Sequence, residues 1–164
     1  MEKVNNIFTL IHMIQQVTNE NIVRFTNEFS YPIGISTIVS LAEIRASGPV
    51  KQIDLSDKLG YSRSTITNMA DKLVKLGLVE RVYDEKDRRT IHLQITEQGK
   101  EALQEAKAIG DKIYSEQYSV LTEEELEQYI RIQKKLWKSM RHAKRLSIRS
   151  EERRVGKECR SRWS

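Results

Sequence analysis

Residues 62–77 read Ser62-Arg63-Ser64-Thr65-Ile66-Thr67-Asn68-Met69-Ala70-Asp71-Lys72-Leu73-Val74-Lys75-Leu76-Gly77, and how they are read decides the fold. Ile66, Met69, Ala70, Leu73 and Leu76 recur at helical spacing, which gathers them on one face for burial. Ser62 carries the side-chain oxygen that an N-cap needs, and Gly77 accepts the left-handed backbone that ends a helix. The opposite face holds Arg63, Ser64, Thr67, Asn68, Asp71 and Lys75. Most surface helices carry long Glu/Lys pairs there. Short donors on the first two turns suit a helix whose N-terminal end enters a groove of DNA.

The flanks complete the unit. Upstream, Ile53–Leu59 is a short helical segment closed by Gly60, and Gly60-Tyr61 is a tight joint into the Ser62 cap. A short helix, a glycine turn and a second amphipathic helix make a helix-turn-helix. Downstream, Leu78–Tyr83 favours strand through Val79, Val82 and Tyr83. Thr90–Ile95 alternates, with Ile91, Leu93 and Ile95 on one face and Thr90, His92 and Gln94 on the other. Asp84-Glu85-Lys86-Asp87-Arg88-Arg89 between them is too polar to pack. A hairpin with a charged tip directly after the second helix predicts a winged helix-turn-helix. The fold class is mainly α with a small β-hairpin wing.

Several motifs in this core occur in order and at characteristic spacing. They are the Leu59-Gly60-Tyr61-Ser62 joint, the Lys75–Arg81 exit "KLGLVER", the D-x-R of Asp87 and Arg89, and the "LQITEQG" of residues 93–99. On these, the chain resembles the MarR family of bacterial regulators. The resemblance reaches, less specifically, over roughly residues 4–145. It implies a homodimeric, cytoplasmic DNA-binding regulator, most often a repressor. It also implies that the D-x-R aspartate braces an arginine entering the minor groove, here Asp87 for Arg89. A small anionic or aromatic effector would bind between the dimerisation helices and the reading head, in a crevice lined from the first, second and fifth helices. The protein has no cysteine before residue 150, which argues against the thiol peroxide sensors of that family.

The rest of the chain reads as helices around this core. Val4 to about Phe29 is a long helix with Val4, Ile7, Phe8, Ile11, Ile14, Ile22, Phe25 and Phe29 on a stripe, ended by Tyr31-Pro32. Ser36–Ala46 forms a second helix that buries Ile38, Leu41, Ala42 and Ile44, and Gly48-Pro49 stops it. Thr96 caps a helix running to about Tyr118 through Ala102, Leu103, Ala106, Ile109 and Ile113. Thr122-Glu123-Glu124-Glu125 is a capping box for a last helix carrying Leu126, Tyr129, Ile130, Leu136, Trp137 and Met140. A lone chain would leave large apolar stripes bare on the first and the last two helices. A two-fold dimer packing those helices together covers them, and it pairs two recognition helices for a palindromic site. The expected organisation is a dimerisation helix over 1–33, the winged helix-turn-helix over 34–99, and C-terminal dimerisation helices over 100–149.

Residues 150–164 differ from everything before them. They have no periodic apolar face and read as a vector-derived tail, outside the fold. The tail contributes +2 to the net charge of +5, so residues 1–149 carry +3, and the only cysteine, Cys159, belongs to the tail. Residues 1–149 therefore hold no disulfide, no thiolate zinc cluster and no thiol switch. A sequence pI near 9.3 leans towards a polyanionic partner, although mild basicity is common in proteins. The first residues lack a signal-peptide pattern, and no run approaches the ~18 apolar residues of a membrane span.

The candidate site follows from these elements. Ser62, Arg63, Ser64, Thr65, Thr67 and Asn68 form the recognition-helix set, with Asp87, Arg88 and Arg89 on the wing. Arginine can be bidentate to guanine, asparagine to adenine, and threonine can meet a thymine methyl. Ser62 and Thr65 sit where helix N–H groups favour a phosphate. His12, His92 and His142 are each alone in their segments, so no metal and no cofactor is expected. The chain has no G-x-S-x-G and no glycine-rich phosphate loop, which argues against an enzyme. The rival reading is a winged-helix module that binds protein and never touches DNA. Such a module presents apolar anchors on its second helix, where this chain presents Arg63, Ser64, Thr67 and Asn68.

Overall fold

In the computed structural model, residues 2–84 and 90–140 are described, with side chains from residue 6 onward. They group into two compact units that divide between Ser115 and Glu116. The first unit holds α1 (Glu2–Glu28), α2 (Ile35–Ser47), α3 (Gln52–Leu59), α4 (Arg63–Lys75), β1 (Val79–Tyr83), β2 (Ile91–Ile95) and most of α5 (Glu97–Tyr118). The second unit contains the end of α5 and a sixth helix, α6, over 123–140. The wing-tip residues Asp87, Arg88 and Arg89, His142 and the tail 150–164 lie outside the described residues.

The core of the first unit sits where α2, α3, α4 and the hairpin meet. Leu41 and Ile44 from α2, Leu55 from α3, Ile66 and Leu73 from α4, Leu78, and Leu93 from β2 are almost fully excluded from water. Each such side chain contributes roughly 1.5–3 kcal/mol by burial. The apolar face read on α4 is the buried one: Ile66, Ala70 and Leu73 are inside, and Met69 and Leu76 pack at the margin.

The hairpin is antiparallel, with Val79 opposite Ile95 and Tyr83 opposite Ile91. Its alternation is only partly converted into burial. Leu93 is buried, Ile95 half-buried, and Ile91 is exposed near the open end of the ladder. Leu93 also exchanges two backbone hydrogen bonds with Val50, at 2.8 and 3.0 Å. The α2–α3 connection thus adds an isolated bridge to the free edge of β2. That pairing anchors the wing root to the start of the helix-turn-helix.

One expectation changes. Ala42 is exposed rather than buried, because it lines a crevice between α2 and α5. Along the α1 stripe, as expected of a lone chain, only Phe25 and, just past the helix end, Phe29 are buried among the described residues. Their ring centroids lie 5.2 Å apart in a tilted pair, and those of Phe29 and Tyr31 lie 5.5 Å apart. Ile7, Phe8, Ile11, Ile14 and Ile22 face solvent, since the first unit offers apolar cover only to the C-terminal end of α1. That end is fastened to α5. Ser30 donates its backbone N–H (2.8 Å) and its hydroxyl (2.7 Å) to Glu105, and Lys112 pairs with Glu28 at 3.0 Å.

The capping box on α6 forms as its spacing requires. The Glu125 carboxylate accepts from the Thr122 N–H at 2.9 Å, and Thr122 Oγ1 accepts from the Glu125 N–H at 3.3 Å. Within the second unit the rings of Tyr118 and Tyr129 form a tilted pair with centroids 5.8 Å apart. Ile130, Ile132, Leu136, Trp137 and Met140 are exposed. No described helix is long and apolar enough to cross a membrane.

Candidate nucleic-acid interface

The joint between α3 and α4 is set by a small buried hydroxyl. Ser56 is 7% exposed and donates to the Tyr61 carbonyl at 2.7 Å. Gly60 closes α3 in the left-handed conformation, with its N–H on the Ser56 carbonyl at 2.9 Å. The chain can then turn sharply and leave Ser62 extended as the N-cap of α4. The Ser62 hydroxyl accepts the Thr65 N–H at 3.2 Å and lies 2.7 Å from Thr65 Oγ1 and 2.9 Å from Ser64 Oγ. Three hydroxyls therefore line the N-terminal end of α4, where orphan N–H groups and the helix dipole favour an anion.

Arg63, Ser64, Thr67 and Asn68 stand exposed together on the first two turns of α4, with Ser62 exposed at the cap and Thr65 half-buried. The structure thus brings the recognition-helix set onto one accessible surface. Thr67 is held more tightly than the others. Its hydroxyl lies 3.0 Å from the Arg63 carbonyl and 3.1 Å from Gln52 Oε1 on α3.

Asp71, the acid on the exposed face of α4, forms an ion pair with Arg81 of β1. That pair joins α4 to the first strand of the hairpin and compensates the Asp71 charge on the exposed face. Sequence reading missed both Gln52 and Arg81. Each is an exposed or half-exposed polar residue whose partner lies 15 or 10 positions away, a separation that leaves no periodic signal.

The far end of α4 is equally fixed. The Gly77 N–H bonds the Val74 carbonyl at 3.0 Å and the Leu78 N–H bonds the Leu73 carbonyl at 3.0 Å, the paired pattern that closes a helix on a left-handed glycine. Thr96 then bridges two elements: it donates to the Gly77 carbonyl at 2.6 Å and accepts the Gly99 N–H at 3.0 Å. Gly99 admits no side chain, because a Cβ there would sit 2.1 Å from the Leu78 carbonyl oxygen. The start of α5 is thereby packed against the exit from the recognition helix.

Behind the reading face, α2 and α3 are tied by Glu43, Ser47 and Lys58. Glu43 accepts from Ser47 at 2.7 Å and from Lys58 at 3.2 Å. The Ser47 hydroxyl first, and Lys58 second, hold the Glu43 carboxyl below its ordinary range.

An open crevice of about 530 Å³ lies between α1, α2 and α5. Phe25, Ile38, Leu103 and Ala106 give it apolar walls, and Arg45 and Lys107 stand at it as cations. Lys107 also pairs with Asp111 at 2.9 Å. Among the described residues no group of three or more His, Cys, Asp or Glu is placed to hold a metal ion. His12 is exposed and His92 half-buried on β2.

Comparison with known proteins agrees with this architecture. Residues 35–91 match the model of the MarR family. The chain is 34% identical over 96 residues to the HTH-type transcriptional repressor MdtR of Bacillus subtilis, covering 58% of this chain and 62% of MdtR, less than two thirds of that relative. It is 30% identical over 135 residues to the HTH-type transcriptional regulator PapX of Escherichia coli, covering 76% of this chain and 80% of PapX. Among solved structures, the YusO protein of Bacillus subtilis superposes with a TM-score of 0.71 at 26% identity, covering 83% of this chain and 94% of that one. Fold, local motifs and relatives converge: the chain belongs to the MarR family of transcriptional regulators.

Proposed function

We propose that this protein is a sequence-specific DNA-binding transcriptional regulator, a ligand-responsive repressor that acts in the cytoplasm as a homodimer on a palindromic operator. One observation carries the reading. The first two turns of α4 expose Arg63, Ser64, Thr67 and Asn68 side by side, on a helix whose opposite face buries Ile66, Ala70 and Leu73 in the core. Rigid support behind a short-donor surface is what base-edge reading in a major groove requires. Ser62 and Thr65 are assigned to a phosphate at the helix start. On the wing, Asp87 orients Arg89 for the minor groove, with Arg88 beside it. The exposed α4 face carries none of the apolar anchors of a protein-interaction module, so that rival is not adopted.

Residues 1–33 and 100–149 supply the dimerisation helices in this reading, and 34–99 the DNA-binding domain. The exposed apolar residues of α1 and α6 support it, because a second copy gives them cover. The crevice beside Arg45 and Lys107 takes the effector, a small anionic or aromatic molecule, with apolar walls for a ring and two cations for a charge. No catalytic role is assigned to any residue.

The test is selection of preferred sequences from random duplex DNA by the purified chain. A recovered palindrome, its half-sites about one helical turn apart, supports the reading. Failure to enrich any sequence overturns it. On the selected duplex, Arg89→Ala is expected to weaken binding and to lower the salt slope by ~1 per lost phosphate-like contact in each half-site. Major-groove preferences should survive that substitution.

A further inference from the structure

Thr67 differs from the other exposed residues of α4 in how its side chain is spent. A threonine hydroxyl has one proton to donate. In this structure that proton lies between two acceptors of the protein itself, the Arg63 carbonyl at 3.0 Å and Gln52 Oε1 at 3.1 Å. The oxygen is therefore turned towards the preceding helical turn and towards α3, and it holds no proton for a base. The side chain is nonetheless exposed. The oxygen can still accept a hydrogen bond but has no proton to give, and beside it the side chain carries its γ-methyl, an apolar group on an otherwise polar surface.

In a major groove, one base edge presents an apolar group of matching size, the 5-methyl of thymine. We infer that Thr67 is a specificity residue that reads a thymine through methyl–methyl contact, and that Gln52 is the positioning residue that holds it for this task. Gln52 acts from the first turn of α3 and joins the two helices of the motif at one point of the reading surface. A β-branched side chain in a helix has few rotamers to begin with, and the two hydrogen bonds select one of them. The methyl is thus placed by the protein before DNA arrives. The inference rests on the reading of α4 as the DNA-contacting helix, and it adds to that reading the role of Gln52 in holding Thr67 for a thymine methyl.

The test uses the full chain and a duplex it selects from random sequence. Each thymine is replaced in turn by deoxyuridine, which removes the 5-methyl and leaves base pairing unchanged. For the wild type, one position per half-site should lose about fourfold in affinity, the worth of one buried methyl-sized group. Replacing both symmetric positions should cost about fifteenfold, since the two sites are far apart and independent.

Three variants assign the effect. Thr67→Ser keeps the hydroxyl and lacks the methyl, so it should bind the thymine and uracil duplexes equally at that position. Thr67→Val keeps a methyl in the same place and loses the hydroxyl, so discrimination should persist even if overall affinity falls. Gln52→Ala leaves Thr67 intact, and the thymine-to-uracil ratio should shrink towards twofold. A purely structural role for Gln52 would lower both affinities together and leave the ratio unchanged. The inference is overturned if no thymine position responds in the wild type, if Thr67→Ser retains the full discrimination, or if Thr67→Val abolishes it. Failure of the wild type to bind any duplex would instead overturn the assignment of α4 to DNA, and this inference with it.

Discussion

Helices α1 and α4 are both amphipathic, and the chain treats them in opposite ways. On α4, Ile66, Ala70 and Leu73 are inside the core, and the exposed face is polar. On α1, Ile7, Phe8, Leu10, Ile11, Met13, Ile14, Val17, Ile22 and Val23 remain 43–67% exposed, and of the stripe only Phe25, with Phe29 just past the helix end, finds cover. The difference separates two uses of an apolar stripe. The stripe of α4 orients a polar face outward with precision, because the core fixes the helix. The stripe of α1 is itself the surface that remains to be covered. A helix whose apolar side is satisfied at home displays chemistry; one whose apolar side is bare is open to cover by a second helix.

The comparison is broken most severely by attacking the covered stripe. Leu73→Ala should destabilise the first unit by about 2–5 kcal/mol, read from urea unfolding, because a fully buried leucine leaves a cavity. A cost under about 1 kcal/mol would mean that the core does not hold α4 as described.

The bare stripe should respond differently. The double substitution Ile11→Glu, Ile14→Glu should leave the far-ultraviolet circular dichroism nearly unchanged and convert a dimer to a monomer in sedimentation. Affinity for a palindrome should then fall by about a hundredfold or more as two-headed binding is lost. A persistent dimer would show that α1 is not the recruiting surface.

The Asp71–Arg81 pair sharpens the α4 side of the comparison. Both partners are more than a third exposed, so Arg81→Ala should cost less than about 1 kcal/mol of stability. Its effect on DNA binding should be larger, since Asp71 is left as an uncompensated charge near phosphate. Asp71→Ala in the Arg81→Ala background should recover part of the lost affinity. Equal losses in the single and double variants would assign Arg81 a direct contact instead.

The smallest effect concerns pH. The Glu43 carboxyl is held below its ordinary range by Ser47 and Lys58. A lowered folded-state value contributes stability that is present above the ordinary glutamate value, about 4.3, and is lost as pH falls below it. Glu43→Gln should flatten the acid limb of a stability–pH curve over that window and leave the neutral limb nearly in place. An unchanged acid limb would show that the Glu43 network is not formed in solution.

The two stripes also show what a sequence can disclose. Ile66, Met69, Ala70, Leu73 and Leu76 announce α4 because core packing repeats with the helical period, and the Ser62 and Gly77 caps follow local chemistry. The hairpin is legible from alternation, although Ile91 stays exposed where the ladder runs out of cover. The recognition-helix residues are legible as an accessible set for the same reason that α4 is. The connections that fix the site are not. Gln52 to Thr67, Arg81 to Asp71, Glu105 to Ser30 and Val50 to Leu93 join residues distant in the chain. Three of them are polar pairs at or near the surface, set by tertiary approach rather than by periodicity. The helical phase of Ala42 predicts a core position, yet it borders the crevice because α2 and α5 stand apart there.

In the proposed function, two copies of the polar face of α4 read one palindrome. The most direct test is a titration of the full chain against a labelled palindromic duplex and a scrambled one of equal composition. Arg63→Ala and Asn68→Ala would be measured alongside the wild type, with folding verified by circular dichroism. The account predicts two chains per palindrome, a preference over the scrambled duplex of about 10³-fold or more, and a cost of about 1–3 kcal/mol for each substitution on the palindrome. Equal affinity for the two duplexes, or substituted proteins that bind the palindrome like the wild type, would contradict it.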